Sequence, residues 1–491
     1  MDALDATGSF WFPGSERVAI YGSLVFDPAD GTTLTLADAL SELLPNGERH
    51  EAWGGERDRV YGQIDRGGHR IKVTLIDCIR LSPTKYHANR LLLGGHFAAD
   101  DVNFHQAIVR LRDLPAWVAQ EALTVEVDAA LDETERRELR VRLDRPPAVR
   151  APFARGELSL DFRWSQDDVD YEQLIIREWP QFELAYTVPA SLTEIMVDVS
   201  SLRSLLTLCG DGPSAIDGVE LYRPDYPVKR LLSGDAIPGT MQKIELRLAF
   251  VGAGSPGQQK RRAPHRMLVS FGDVGGIETA ATWLNLNEAW RFRIIVGYLV
   301  SMRADSIFGQ NRLLNVCSAA EGFHRSTIGG SQMDEAEFKS IKRKLKKHLP
   351  RKYRKWFDRG MAHASDPRLS QRLKQLADQL GPVARELVGD VTVWSDVVAT
   401  CRNDLTHLEG LGGQDDSGKQ YDSGDLYWLA EGVFNVTRLC LLVHVGLHNE
   451  LLPELAKSWP IHGAQERVID AVGRLAEVQR RQRYRKRKGR R

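Results

Sequence analysis

Gly156-Glu157-Leu158-Ser159-Leu160-Asp161-Phe162-Arg163-Trp164 alternates apolar with polar residues from end to end. A period of two sets Leu158, Leu160, Phe162 and Trp164 on one face of an extended chain, which reads as a half-buried β-strand. Upstream, Arg17 to Phe26 (RVAIYGSLVF) is rich in β-branched and aromatic residues and stops at the turn-forming Asp27-Pro28. His69 to Ile79 (HRIKVTLIDCI) alternates likewise and follows Gly67-Gly68. Downstream, Ile244 to Val251 and Met267 to Phe271 read as a strand pair flanking a long polar loop. One helical insertion is expected over Asp132 to Leu143, where charge is dense and Leu recurs at helical spacing. Residues 1 to about 275 are therefore expected to be β-rich, with Arg145-Pro146-Pro147 as an internal joint.

After Trp283 the period changes to that of helices. Asn285 or Asn287 is placed to cap a helix running through Trp290, Ile294, Ile295, Tyr298 and Leu299. Further helices are expected over Asn311–His324, Leu369–Leu380, from Val393 into Cys401, and over Asp425–Leu452, the most apolar segment. The fold class is α+β and multidomain. Residues 1–145 and 146–280 form the β-rich half, 281–470 an all-α bundle, and 471–491 a basic tail expected to be disordered. No repeat of solenoid period occurs.

Composition narrows the function classes. Of 491 residues, 42% are hydrophobic and 27% charged, which is ordinary globular usage. The net charge of zero conceals an asymmetry: Arg480 to Arg491 holds nine basic residues and no acid, so the remainder carries a net of −9. No run of about 18 uncharged apolar residues is present, so no membrane span is expected. The opening Met1-Asp2-Ala3-Leu4-Asp5 is unlike a secretory signal. The five cysteines (Cys78, Cys209, Cys317, Cys401, Cys440) form no CxxC pair, which argues against a disulfide framework or a thiolate zinc site. A cytoplasmic, reduced protein without metal or other cofactor is the expectation.

The segment expected to carry chemistry is Ala399-Thr400-Cys401-Arg402-Asn403-Asp404-Leu405-Thr406-His407. On an ideal helix five residues turn through 500°, leaving the Arg402 and His407 side chains about 140° apart. Asn403 and His407, at i and i+4, share a face. Convergence of Arg402 and His407 on one ligand thus needs either a distorted helix end or two copies facing each other. Gly410, Gly412 and Gly413 follow at once, so His407 lies near the helix stop.

RNDLTH (Arg402–His407) resembles the Arg-x4–6-His motif of HEPN ribonucleases, with a polar residue after the arginine. Gly8-Ser9-Phe10-Trp11-Phe12-Pro13-Gly14, then Tyr21-Gly22-Ser23-Leu24, the Leu34-Thr35-Leu36 run and Leu114-Pro115-Ala116-Trp117 resemble the N-terminal region of ApeA-type anti-phage proteins, which join such a region to a C-terminal HEPN domain. The resemblance implies metal-independent cleavage of RNA, transfer RNA among the candidates, in abortive infection. It also implies a homodimer that assembles the site and an N-terminal half that senses a phage-derived trigger. Arg402 and His407 would be catalytic. The imidazole titrates near cellular pH and can move the 2′-hydroxyl proton, while the guanidinium can hold the phosphate in bidentate fashion. Asn403 would orient His407 or the phosphate through its amide, and Glu321 would pair with Arg402 if their helices pack. Two rivals stand beside this reading: a non-catalytic RNA- or protein-binding HEPN scaffold, and a partner or antitoxin of a nucleotidyltransferase.

Other signals weigh less. Gly252-Ala253-Gly254-Ser255-Pro256-Gly257 matches GxGxxG, but the polar Gln258 to Pro264 after it cannot form a phosphate-binding helix, and a long hairpin loop is expected. His444 and His448 have metal-ligand spacing on the last apolar helix but lack a third ligand. Lys339 to Lys355 carries ten Lys/Arg, interleaved with Phe338, Ile341, Leu345, Tyr353 and Trp356. Solvated helix surface is the plain reading of that run; the alternative is an RNA-tracking face made by Lys342, Arg343, Lys346, Lys347, Arg351 and Lys352.

Overall fold

The computed structural model describes residues 3–43, 49–51, 59–120, 123–127, 139–170, 173–228, 235–248, 261–303, 307–362, 364–407 and 421–488. It divides into two compact units, Met1–Asn287 and Glu288–Arg491.

In the first unit the alternating segments pair. The strands β1 (Leu4–Trp11), β2 (Ile20–Asp27) and β3 (Gly31–Leu36) are followed by the short hairpin of β4 (Ser41–Leu43) and β5 (Arg49–Glu51), then by β6 (Arg59–Arg66), β7 (His69–Ser82) and β8 (Lys85–Leu93). Antiparallel pairing runs β1–β2–β3–β8–β7–β6 and back to β1, which closes a barrel with no free edge. Its interior is the inward half of the alternation: Phe10, Leu24, Phe26, Leu34, Ile64, Val73 and Leu91 are fully buried. Close approach across β1 and β6 needs glycine, because a Cβ on Gly8 would lie 2.2 Å from the Gln63 carbonyl oxygen.

From β8 the sheet runs outward through β16 (Ile244–Leu248), β15 (Ile216–Tyr222), β9 (Asn103–Leu111), β14 (Gln173–Ser191), β13 (Gly156–Asp170) and β12 (Val149–Phe153). Helices α1 (Leu114–Val118) and α2 (Leu192–Cys209) sit between these strands in sequence, and α2 starts on a Ser191–Glu194 capping box. The joint at Arg145-Pro146-Pro147 does not separate two sub-domains. β9, which precedes it, pairs with β14 and β15, which follow it, so one sheet spans the joint.

Three further expectations are corrected. Leu139–Leu143 is strand β11, paired with β10 (Leu123–Val127), because LRVRL alternates; the rest of the expected helical insertion lies outside the described residues. Met267–Phe271 is not the partner of β16. Met267 bridges Gly210, and β16 is already paired on both edges by β15 and β8. The GxGxxG stretch also lies outside the described residues. Asn285 and Asn287 fall inside α3 (Gly276–Glu288) and cap nothing: Asn285 Oδ1 accepts from the Ala154 N–H at 2.7 Å, and Asn287 donates to the Trp283 carbonyl at 2.9 Å.

The second unit is helical. It contains α4 (Trp290–Ser301), α5 (Gly309–Thr327), α6 (Glu335–His348), α7 (Arg354–Gly360), α8 (Leu369–Gln379), α9 (Val383–Val388), α10 (Val391–His407), α11 (Ser423–Val445), α12 (Leu452–Lys457) and α13 (Trp459–Lys488). The central rod is α11, packed on α5 and α13. By length and composition alone α11 could cross a membrane, yet its apolar window is 83% buried, as befits a core helix. Residues 471–488 are not a disordered tail. Val468, Ala471, Val472, Leu475, Ala476 and Gln479 recur at helical spacing and are buried, so they carry α13 onward.

Candidate active site

Helix α10 is set by its ends and its inner face. The Asp390 carboxylate accepts the N–H groups of Thr392 and Val393 at 2.8 and 3.0 Å, capping the start. Trp394, Val397, Val398 and Cys401 then fall at i, i+3, i+4 and i+7 and are buried. Arg402, one residue past that stripe, emerges on the flank of the helix. Helix α5 repeats the arrangement: Leu313, Val316, Cys317 and Ala320 are fully buried, and Glu321 follows on the flank. α5 and α10 pack together, and the two flanking residues meet.

Arg402 Nη2 donates to Glu321 Oε2 at 2.9 Å, and Arg402 Nη1 donates to Asn403 Oδ1 at 3.1 Å. The pair is partly sheltered, with side-chain exposures of 27% for Arg402 and 21% for Glu321, whereas Asn403 is exposed. A guanidinium in this position is held in plane by a carboxylate and an amide oxygen while one side still faces water. Beneath it, burial pushes the Cys317 thiol pKa up, against the opposing pull of Arg402, so that cysteine is a neutral packing group.

His407 is the last residue of α10, and its side chain lies outside the described residues, as do Gly410, Gly412 and Gly413. Two further contacts frame this end of the helix. The buried Asp404 accepts a hydrogen bond from the Tyr421 hydroxyl, one residue before Asp422, which caps α11. Burial, then the neighbouring Cys401 and Asp404, raises the Tyr421 phenol pKa, so it remains a donor. One turn beyond Glu321, His324 is fully buried between Arg372, which donates to Nδ1 at 3.0 Å, and Gln375 Oε1 at 2.6 Å from Nε2. That pattern assigns the neutral, Nε2-protonated ring, and burial lowers its pKa accordingly. Neither contact is readable from the sequence: Asp404 pairs with a side chain 17 residues away, and His324 with a helix 48 residues away.

The remaining candidates separate. Among the described residues no group of three or more His, Cys, Asp or Glu could hold a metal ion. His444 is in α11 with its ring edge-on to Phe323, but α11 ends at Val445 and Gly446 adopts φ +141°, so His448 is not on the same helix. The expected i, i+4 helical pair is therefore not formed. Of the basic group, Lys342 and Lys346 lie 3.8 and 2.5 Å from the Asp358 carboxylate, while Arg343, Lys347, Arg351 and Lys352 are exposed.

Two family profiles match the chain: one described as ApeA N-terminal domain 1 over residues 5–280, and one described as Apea-like HEPN over residues 314–451. Among curated proteins and among solved structures, none matches. The second span contains Glu321, Arg402 and His407 together.

Proposed function

We propose, because this chain belongs to the ApeA family and carries the HEPN domain of that family in its helical unit, that it is an anti-phage effector which cleaves RNA. The observation that carries this reading is the Arg402–Glu321 bridge, which holds a guanidinium on the flank of the helix that ends in His407. Glu321 and Asn403 engage two of the five guanidinium N–H donors, leaving others for the oxygens of a phosphate.

His407 takes the proton of a ribose 2′-hydroxyl, and that oxygen attacks the adjacent phosphorus. The bond from phosphorus to the 5′-oxygen breaks, and the leaving 5′-oxygen takes a proton from water, while His407 later returns the 2′-hydroxyl proton to solvent. The products are a 2′,3′-cyclic phosphate and a 5′-hydroxyl end. Arg402 stabilises the charge that builds on the phosphoryl oxygens. DNA has no 2′-hydroxyl and is not cut.

Helix α10 continues to His407, which favours the second of the two arrangements open to the motif. On a continuous helix Arg402 and His407 stem from positions about 140° apart, so two copies of the chain face each other and each completes the other's site. The N-terminal unit serves as the sensor that restrains the ribonuclease until a phage product is present, and the setting is the cytoplasm.

The test is incubation of the purified chain, Arg402→Ala and His407→Ala with total RNA, with cleavage ends mapped and light scattering run in parallel. Cleavage by the wild type as a dimer, with cyclic phosphate ends, and no more than a trace from either variant, is the expected result. Undiminished cleavage by either variant, or cleavage by a monomer, overturns the assignment.

A further inference from the structure

We infer that the helical hairpin formed by α6 and α7 is an arm that binds single-stranded RNA, with Trp356 as a stacking platform for an unpaired base. This deepens, and rests on, the ribonuclease reading.

The hairpin is unusual in what it lacks. Among the described residues from Arg325 to Asp366 not one is buried. A segment of that length with no buried residue must be held otherwise, and it is. Asp334 caps α6 through the N–H groups of Ala336 and Glu337 at 2.9 and 3.0 Å. Acidic residues lie in the first turn of α6 and Lys346, Lys347 and His348 in its last, the favourable sense for the helix dipole. At the root, the Gln332 N–H and side-chain amide donate to the carbonyls of Ser365 and Asp366 at 2.7 and 2.6 Å, which clamps the two strands of the hairpin together. The arm is thus a formed element that offers its surface to solvent.

That surface combines two properties seldom found together on an idle face. It is strongly cationic, with ten Lys/Arg between Lys339 and Lys355, in a chain whose body is acidic. It also carries aromatic rings in the open: Trp356 is 71% exposed and Tyr353 46%, with the Lys352 ammonium 4.9 Å from the Tyr353 ring. Exposed rings set among cations suit a ligand with anionic backbone and flat faces, which describes unpaired RNA. Two such arms do not pair with each other, since that would set like charge against like, and the acidic body of a second copy offers charge but no unpaired bases for the exposed rings.

The root also lies close to the site. The arm leaves α5, the helix of Glu321, after Thr327, six residues or about 9 Å along the axis from Glu321. Helix α6 itself is about 21 Å long, so a strand held on the arm starts from a root close to the Arg402–Glu321 pair.

The test uses the full chain carrying Arg402→Ala, so that a labelled oligouridylate remains intact, and reads binding by fluorescence anisotropy across salt concentrations. Trp356→Ala weakens binding by about 5- to 150-fold at fixed salt, the range that loss of one stacked base gives. Arg343→Gln, Lys347→Gln, Arg351→Gln and Lys355→Gln combined reduce the slope of log affinity against log salt by roughly 3, at about 0.7 per phosphate. None of these side chains is buried, so folding is expected to be intact, which circular dichroism verifies. Unchanged affinity and slope in both variants overturn the inference even where the wild-type chain cuts RNA. Arm-dependent binding by a chain that never cuts RNA sustains it and leaves the cleavage reading to fail alone. Arm-dependent binding to phosphatidylserine vesicles, with oligouridylate binding unaffected, assigns the arm to membranes instead and also overturns it.

Discussion

Glu321 touches no substrate in the proposed reaction; it acts through Arg402, and that makes its removal informative. In Glu321→Gln the side chain keeps its shape but loses its charge, so the Arg402 guanidinium loses its charged anchor and keeps Asn403 Oδ1. A hydrogen bond to a charged partner contributes about 1.5–3 kcal/mol. The pair is one-quarter exposed, which places the effect on stability towards the lower end of that range. If the whole of it serves to orient the guanidinium, single-turnover cleavage falls by roughly 10- to 150-fold. A fall of that size could also follow from general loosening of the α5–α10 contact. The double variant separates the two: in an Arg402→Ala background, Glu321→Gln costs nothing further in residual rate if it works through Arg402, and multiplies the loss if it does not. The assay is cleavage of an end-labelled RNA with enzyme in excess, with thermal unfolding alongside. Full activity of Glu321→Gln, or additive losses in the double variant, refutes the positioning role.

Three further outcomes are expected. EDTA leaves RNA cleavage unchanged; loss of cleavage restored by zinc or magnesium refutes the metal-independent reaction. Lowering the pH through about 6.5 destabilises the helical unit through His324: its folded pKa is held below the ordinary value by burial, so the unfolded chain takes up more protons just below 6.5 and the contribution, complete above that pH, is lost as pH falls. The midpoint difference between wild type and His324→Gln should therefore change between pH 7.5 and 5.5, and a constant difference refutes it. Gly8→Ala forces β1 away from β6, because the new methyl would overlap the Gln63 carbonyl; destabilisation by about 1–3 kcal/mol is expected, and an unshifted unfolding midpoint refutes it.

What the sequence made legible follows from which interactions are local. Strand β13 announces itself because alternation is a property of nine consecutive residues. So do α8 and α10, whose apolar residues recur at three and four. Closure of the barrel was not readable, because it depends on β8 pairing with both β3 and β7 and on β1 pairing with β6, and none of those partners is encoded in the strand itself. The same reason misplaced Met267–Phe271, whose apolar run suits a strand but whose neighbour, Gly210, comes from the end of α2. Local signals also misled where two of them competed. The charge of residues 471–491 pointed to disorder, while the spacing of Val468, Val472, Leu475 and Gln479 pointed to helix; burial of that stripe outweighed the repulsion of the exposed cations.

The site shows the same division more sharply. Arg402 and His407 could be named because they stand in one short motif, and their helix forms as its cap and stripe require. Pairing of Arg402 with Glu321, 81 residues away, was accessible only as a conditional statement: both residues follow a buried stripe by one position, so if α5 and α10 pack, their flanks coincide. That conditional is a general device. A residue one step past the end of an apolar stripe sits at the border of the buried face, where a charge can be partly desolvated and still reach water. Two such residues on packed helices make a partly sheltered ion pair, the setting in which a guanidinium is both oriented and accessible. His324 escaped notice for the converse reason. It lies inside the stripe, where a histidine reads as an error in the pattern, and only Arg372 and Gln375 from α8 explain its presence there.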